Sequence, residues 1–331
     1  MITAFWKSRP LGALAVAVLA TLCGPLTPAR SAGAAKPAAA TGDAQVLEGA
    51  LDIHVHADPD SHKRYIDYID VAKLAKSRGM RGLVIKNHYE PTASLAYIVR
   101  KEVPGIEVFG GIALDRQVGG INPSAVEYMA HVKGGWGKIV WMPTLTSENA
   151  VRAFKLNEPG VTVSRNGELL PEVKEVIGLI SKYGLVLATG HVSAEEALMI
   201  LREGQRLGVQ HTVVTHAMEG PIWMNIAQMQ EAVRLGAFIE FDYNLGTMER
   251  LQKPGGPHKG PNNFLAEYKE AIHALGPEHC ILSEELTFDS SDLAGHLDGV
   301  APFVSALGLN EHEIDLVLKE NPARLLGLPP H

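Results

Sequence analysis

Eight short apolar runs recur along this chain, and each is followed by a segment with helical periodicity. The runs are Leu51–His56, Gly82–His88, Ile106–Ile112, Lys138–Met142, Leu185–His191, Thr212–His216, Phe238–Asp242 and Cys280–Glu285. Strands that alternate with helices pair in parallel through crossovers. Eight such units suit a single-domain α/β fold, the (β/α)8 TIM barrel, whose active site lies at the carboxyl ends of its parallel strands. A doubly wound open sheet is the alternative. No G-x-G-x-x-G follows the first run, so the dinucleotide-binding form of that sheet lacks its signature.

Clear stops frame the helices. Pro171 opens a helix to Tyr183, Ser193 caps one that Gly208 closes, and another is expected over Phe264–Leu275. Between the fourth and fifth runs lies a polar excursion from Ser147 to Leu170, read as a hairpin turning at Asn166-Gly167.

The first residues stand apart from this pattern. Lys7 and Arg9 precede an apolar run from Leu11 to Leu22, and small residues then surround Ser31 to Ala35. That order reads as a secretory signal peptide over residues 1–34, with a disordered leader over 35–46 and the barrel over 47–331. An exported protein, periplasmic or secreted, is expected. After cleavage only Cys280 remains, so stability must come from the core rather than a disulfide. A formal net charge of -7 with no basic run argues against a nucleic-acid partner. The apolar run is too short to span a bilayer comfortably. A small-molecule substrate is expected, and homo-oligomerisation stays open.

Titratable residues gather at the ends of these runs. Alternation along a strand puts Asp52, His54 and His56 on one face and Leu51, Ile53 and Val55 on the other. His191 ends the fifth run, His216 the sixth, and Glu284 and Glu285 the eighth; Lys86 and His88 share a face at the end of the second. Imidazoles with a carboxylate are ligands for a divalent metal, zinc first, with manganese or iron as alternatives. A metal lowers the pKa of a coordinated water, and a nearby carboxylate can take its proton. Lys86, His88, Arg116, Asn122 and Trp141 are candidates to hold or line the substrate site.

These motifs resemble the amidohydrolase superfamily of metal-dependent hydrolases. The likeness rests on His54-Val55-His56, Thr189-Gly190-His191, Val214-Thr215-His216, Leu282-Ser283-Glu284-Glu285 and the closing Glu320–Leu328 segment, and spans the whole mature chain. More closely, the chain looks like an uncharacterised branch of that superfamily, a domain of unknown function. The resemblance implies a hydrolase that cuts an amide, lactone or ester, with His54 and His56 as ligands of the more buried metal. His191 and His216 would serve a second metal or the substrate, His216 or His191 also polarising the carbonyl. Glu285 would be ligand and proton shuttle. Two departures stand out. Glu285 occupies a place where the superfamily usually has Asp, and the fourth run ends Val140-Trp141-Met142-Pro143-Thr144, without the usual bridging lysine or glutamate. Lys86 could supply a carboxylated lysine or remain an ammonium that binds a substrate carboxylate; one metal rather than two is expected. A metal-dependent decarboxylase or other lyase, and a degenerate barrel that only binds a metal or ligand, are the alternatives.

Overall fold

The computed structural model describes residues 42–243, 264–283 and 297–329. Its strands are β1 (Leu51–Val55), β2 (Gly82–Ile85), β3 (Glu107–Ala113), β4 (Gly137–Trp141), the hairpin pair β5 (Ser164–Arg165) and β6 (Glu168–Leu169), β7 (Val186–Ala188), β8 (His211–Val214), β9 (Phe238–Asp242) and β10 (Cys280–Ser283). All but β5 and β6 join one parallel sheet in chain order, β1-β2-β3-β4-β7-β8-β9-β10. With β10 returning beside β1, this is the expected TIM barrel.

The helices are α1 (Gly42–Leu47), α2 (Tyr68–Ser77), α3 (Ala93–Glu102), α4 (Pro123–Ala130), α5 (Glu148–Phe154), α6 (Pro171–Tyr183), α7 (Ala194–Arg206), α8 (Ile226–Arg234), α9 (Phe264–Leu275), α10 (Val300–Leu307), α11 (Glu311–Asp315) and α12 (Asn321–Leu325). Local chemistry sets their ends. Asp67 accepts from two backbone amides of α2, and Ser193 forms a reciprocal capping box with Glu196 on α7. The β5–β6 turn is Asn166-Gly167 with both φ angles positive, as a two-residue hairpin requires. Two segments differ from the reading of the sequence. Residues 42–46, assigned to the leader, lie in α1, whose Leu47 is buried in the core. Glu148–Phe154, inside the polar excursion, is a helix capped by Ser147.

The core has two layers, because both faces of a parallel barrel strand are covered. Leu51, Ile53, Val84, Phe109, Ile139, Val186, Val213 and Ile281 fill the barrel, joined by Ala323 and Leu325 of α12 at the end where the strands start. Val55, Leu83, Ile85, Val140, Leu187, Val214 and Ile239 belong to the larger cluster formed with the helices. Each fully buried Val, Leu or Ile contributes about 1.5–3 kcal/mol. The opposite end, where the strands finish, holds the buried His54, His56, Lys86, His88, His191 and His216. No helix among the described residues is long and apolar enough to cross a membrane.

Candidate active site

The first histidine pair reaches the site through a break in β1. Leu51 and Ile53 pack inside the barrel, whereas Val55 packs on the helix side. The register against β2 shifts between Asp52 and Val55, the mark of a bulge. The strict alternation expected over 51–56 is therefore broken, and the interior side passes from Ile53 to His54. Asp52 Oδ1 accepts from the His54 amide at 2.9 Å.

Five imidazoles form a closed circuit of ring contacts at the strand ends. Centroid separations run 5.1 Å from His54 to His56, 4.8 Å to His88, 6.0 Å to His191, 5.2 Å to His216 and 4.5 Å back to His54. His54 and His56 are fully buried. His54 donates from Nδ1 to Glu240 Oε1 at 3.2 Å, and Ser283 Oγ donates to the same oxygen at 2.8 Å. The Nε2 lone pair of His54 accepts from Lys86 Nζ at 2.8 Å. Lys86 is completely buried and lies 5.5 Å from the ring of Trp141. His216 Nδ1 meets Asp242 Oδ2, and Glu219 stands 4.0 Å away.

Backbone geometry delivers the two later histidines. Gly190 has φ +63°, and a Cβ there would lie 2.1 Å from the Met142 carbonyl oxygen, so the Thr-Gly-His motif needs its glycine. His216 itself is left-handed, φ 46°, at a cost of about 1–2 kcal/mol. Such strain in a non-glycine residue gathers at functional sites.

Burial, first of all, holds His54, His56, His88 and His191 well below the ordinary imidazole value. The second cause is Lys86 for His54 and His191, His54 for His56, and His56 for His88. They are neutral at pH 7, the form a metal needs.

The residues fit a divalent ion. His54, His216 and Asp242 bring one ligand atom each within 4.8 Å of one another, an N, N, O set suited to zinc. Both ring nitrogens of His191 are buried with no hydrogen-bond partner among the described residues, an expensive arrangement unless something else binds there.

The remaining expected residues stand as follows. Arg116 is half-exposed and paired with Glu158 at 2.9 Å. Asn122 caps α4, accepting from the Ala125 amide. Trp141 lies in the barrel beneath Lys86. Glu284 and Glu285 lie outside the described residues. Among the described residues, Glu240 and Asp242, both on β9, set carboxylates against these imidazoles, with Glu219 near His216. In Phe238-Ile239-Glu240-Phe241-Asp242 the two acids alternate with apolar residues, a signal legible in the sequence and missed. Asp115 and Thr144, which contact His88, carried no such signal.

Residues 49–240 match the model of a family described as "Family of unknown function (DUF6282)". The chain belongs to that family. No curated protein matches it. Solved structures share its fold at low identity. An amidohydrolase from Pseudomonas aeruginosa aligns with TM-score 0.58 and 12% identity, over 86% of this chain and 99% of its own. An amidohydrolase from Burkholderia multivorans with bound zinc gives 0.54 and 16%, over 85% and 99%. The 2,6-dihydroxybenzoate decarboxylase from Rhizobium gives 0.52 and 13%, over 85% and 99%.

Proposed function

We propose that this family member is a metal-dependent hydrolase acting on an amide, lactone or ester bond of a small molecule. The observation that carries the reading is the circuit of five buried imidazoles, four of them kept neutral, with Asp242 beside His216. The zinc in the Burkholderia multivorans neighbour supports zinc here. A single three-residue ligand group among the described residues supports one ion rather than two.

A bound ion would supply Lewis acidity and an acidified water. His54 and His216 offer ring nitrogens and Asp242 an oxygen to hold it, with Glu240 fixing His54 as the Nδ1–H tautomer. Lys86, as an ammonium, attracts a substrate carboxylate or a developing oxyanion. His191 hydrogen-bonds the scissile carbonyl. Glu285 takes the proton of the attacking water and returns it to the leaving group. Residues 1–34 act as a cleaved export signal, so the mature enzyme works in the periplasm or medium.

The test is turnover of a panel of lactones, esters and amides, with metal analysis of the purified protein. Chelation should abolish hydrolysis and zinc restore it, and Glu285→Ala should lower kcat about 10²–10⁴-fold. Hydrolysis that survives complete metal removal overturns the reading. Carbon dioxide release from aromatic acids, without hydrolysis, would assign the lyase chemistry seen in the Rhizobium neighbour's name.

A further inference from the structure

Behind His88 lies a buried chain of hydrogen bonds that the proposed ligand set does not use. Asp115 follows β3, Thr144 follows β4, and both are fully buried. Asp115 Oδ1 accepts three donors: the Thr144 amide at 3.0 Å, the Thr146 amide at 2.8 Å and the Thr146 hydroxyl at 2.7 Å. Asp115 Oδ2 accepts the Thr144 hydroxyl. The same Thr144 Oγ1 lies 2.7 Å from His88 Nδ1.

A hydroxyl has one proton to give. Thr144 gives it to Asp115, so towards His88 its oxygen can only accept. His88 Nδ1 must therefore carry a hydrogen, and Nε2 is left with the lone pair. That nitrogen has no hydrogen-bond partner among the described residues, in a ring stacked on His56 at 4.8 Å and edge-on to His191 at 6.0 Å. We propose that Asp115, acting through Thr144, locks His88 as its Nδ1–H tautomer and so presents Nε2 as a hydrogen-bond acceptor within the site. On the hydrolase reading, which this use of the lock rests on, Nε2 accepts from the attacking water or from a substrate N–H or O–H. Asp115 and Thr144 are positioning residues.

The arrangement predicts an inversion rather than a simple loss. In Asp115→Asn the amide oxygen must stay at the Oδ1 place, because three donors point there. The amide nitrogen then faces Thr144 and donates to it. The Thr144 hydroxyl is freed to donate to His88 Nδ1, and the proton of the ring moves to Nε2.

Nitrogen NMR of histidine-labelled protein reads this directly, with the His88 signals assigned by their loss in His88→Gln. The native protein should show His88 as Nδ1–H, Thr144→Ser should keep that form, and Asp115→Asn should show Nε2–H. Thr144→Val removes the acceptor and should leave a mixture of tautomers. Native His88 found as Nε2–H or as imidazolium overturns the proposal, as does an unchanged tautomer in a folded Asp115→Asn protein. Should that variant not fold, the Thr144→Val and Thr144→Ser pair decides: equal tautomers in the two contradict the lock. None of these readouts uses turnover, so they stand apart from the hydrolase test. With an active substrate in hand, Asp115→Asn should lower kcat about 10–100-fold while KM changes less than about threefold.

Discussion

The two sides of the barrel mouth hold histidines by different means. Around β1, β8 and β9, carboxylates touch imidazoles directly: Glu240 on His54 and Asp242 on His216. Around β2, β3 and β4, a threonine hydroxyl separates the carboxylate from the ring, and Asp115 Oδ2 stays 3.9 Å from His88 Nδ1. Direct contact raises the basicity of a ring and suits a metal ligand. Contact through a hydroxyl fixes a tautomer without placing full charge on the ring. On the proposed reading, one side holds a cation and the other orients an acceptor. Lys86 Nζ stands between them, 2.8 Å from His54 Nε2, the lone pair that an ion held there would need.

The largest expected effect separates the sides outright. Asp242→Ala and His216→Ala should each weaken zinc binding by about 10²-fold or more in calorimetric titration, whereas Asp115→Asn should stay within a few-fold of native. Equal losses on both sides would erase the distinction. Lys86→Met comes next. Removing an ammonium beside His54 should tighten zinc binding about tenfold, since like charges repel strongly at this depth. A carboxylated Lys86 would act as a ligand, and the same substitution would then weaken binding.

Gly190→Ala tests the backbone that carries His191 between the sides. Left-handed φ and the Met142 oxygen together should cost about 2 kcal/mol or more, read as a fall in Tm. A Tm within a degree of native would show that the turn relaxes freely.

The smallest effect is the pH dependence of the metal-free protein. His54, His56, His88 and His191 resist protonation when folded. Below about pH 6.5, the ordinary imidazole value, the unfolded chain binds protons that the folded chain refuses. Stability is therefore full above about 6.5 and falls as the pH drops towards the lowered folded-state values. Denaturant melts across this range check the direction; unchanged stability from pH 7 to 5 would count against four neutral buried rings.

Much of this is legible in the sequence. Alternating runs indicate the barrel, and His54, His56, Lys86, His88, His191 and His216 meet because strand ends of a parallel barrel converge. What escaped has physical reasons. The β1 bulge depends on pairing with β2, so simple alternation assigns Leu51 and Ile53 to the wrong face. Asp115 and Thr144 lie 29 positions apart, and only the closed sheet makes them neighbours. The acids of β9 alternate with apolar residues as in any half-buried strand, and only barrel closure sets them against His54 and His216. The α5 helix was obscured by polar surroundings, although Ser147 marks its start.

The central claim is that His54, His216 and Asp242 hold one catalytic ion. Anomalous diffraction at the zinc absorption edge, from crystals of the protein grown with zinc, tests it most directly. The account predicts a single peak within bonding distance of a nitrogen of His54, a nitrogen of His216 and an oxygen of Asp242. A protein that takes up no zinc, or a peak bound elsewhere with Asp242 uninvolved, contradicts it.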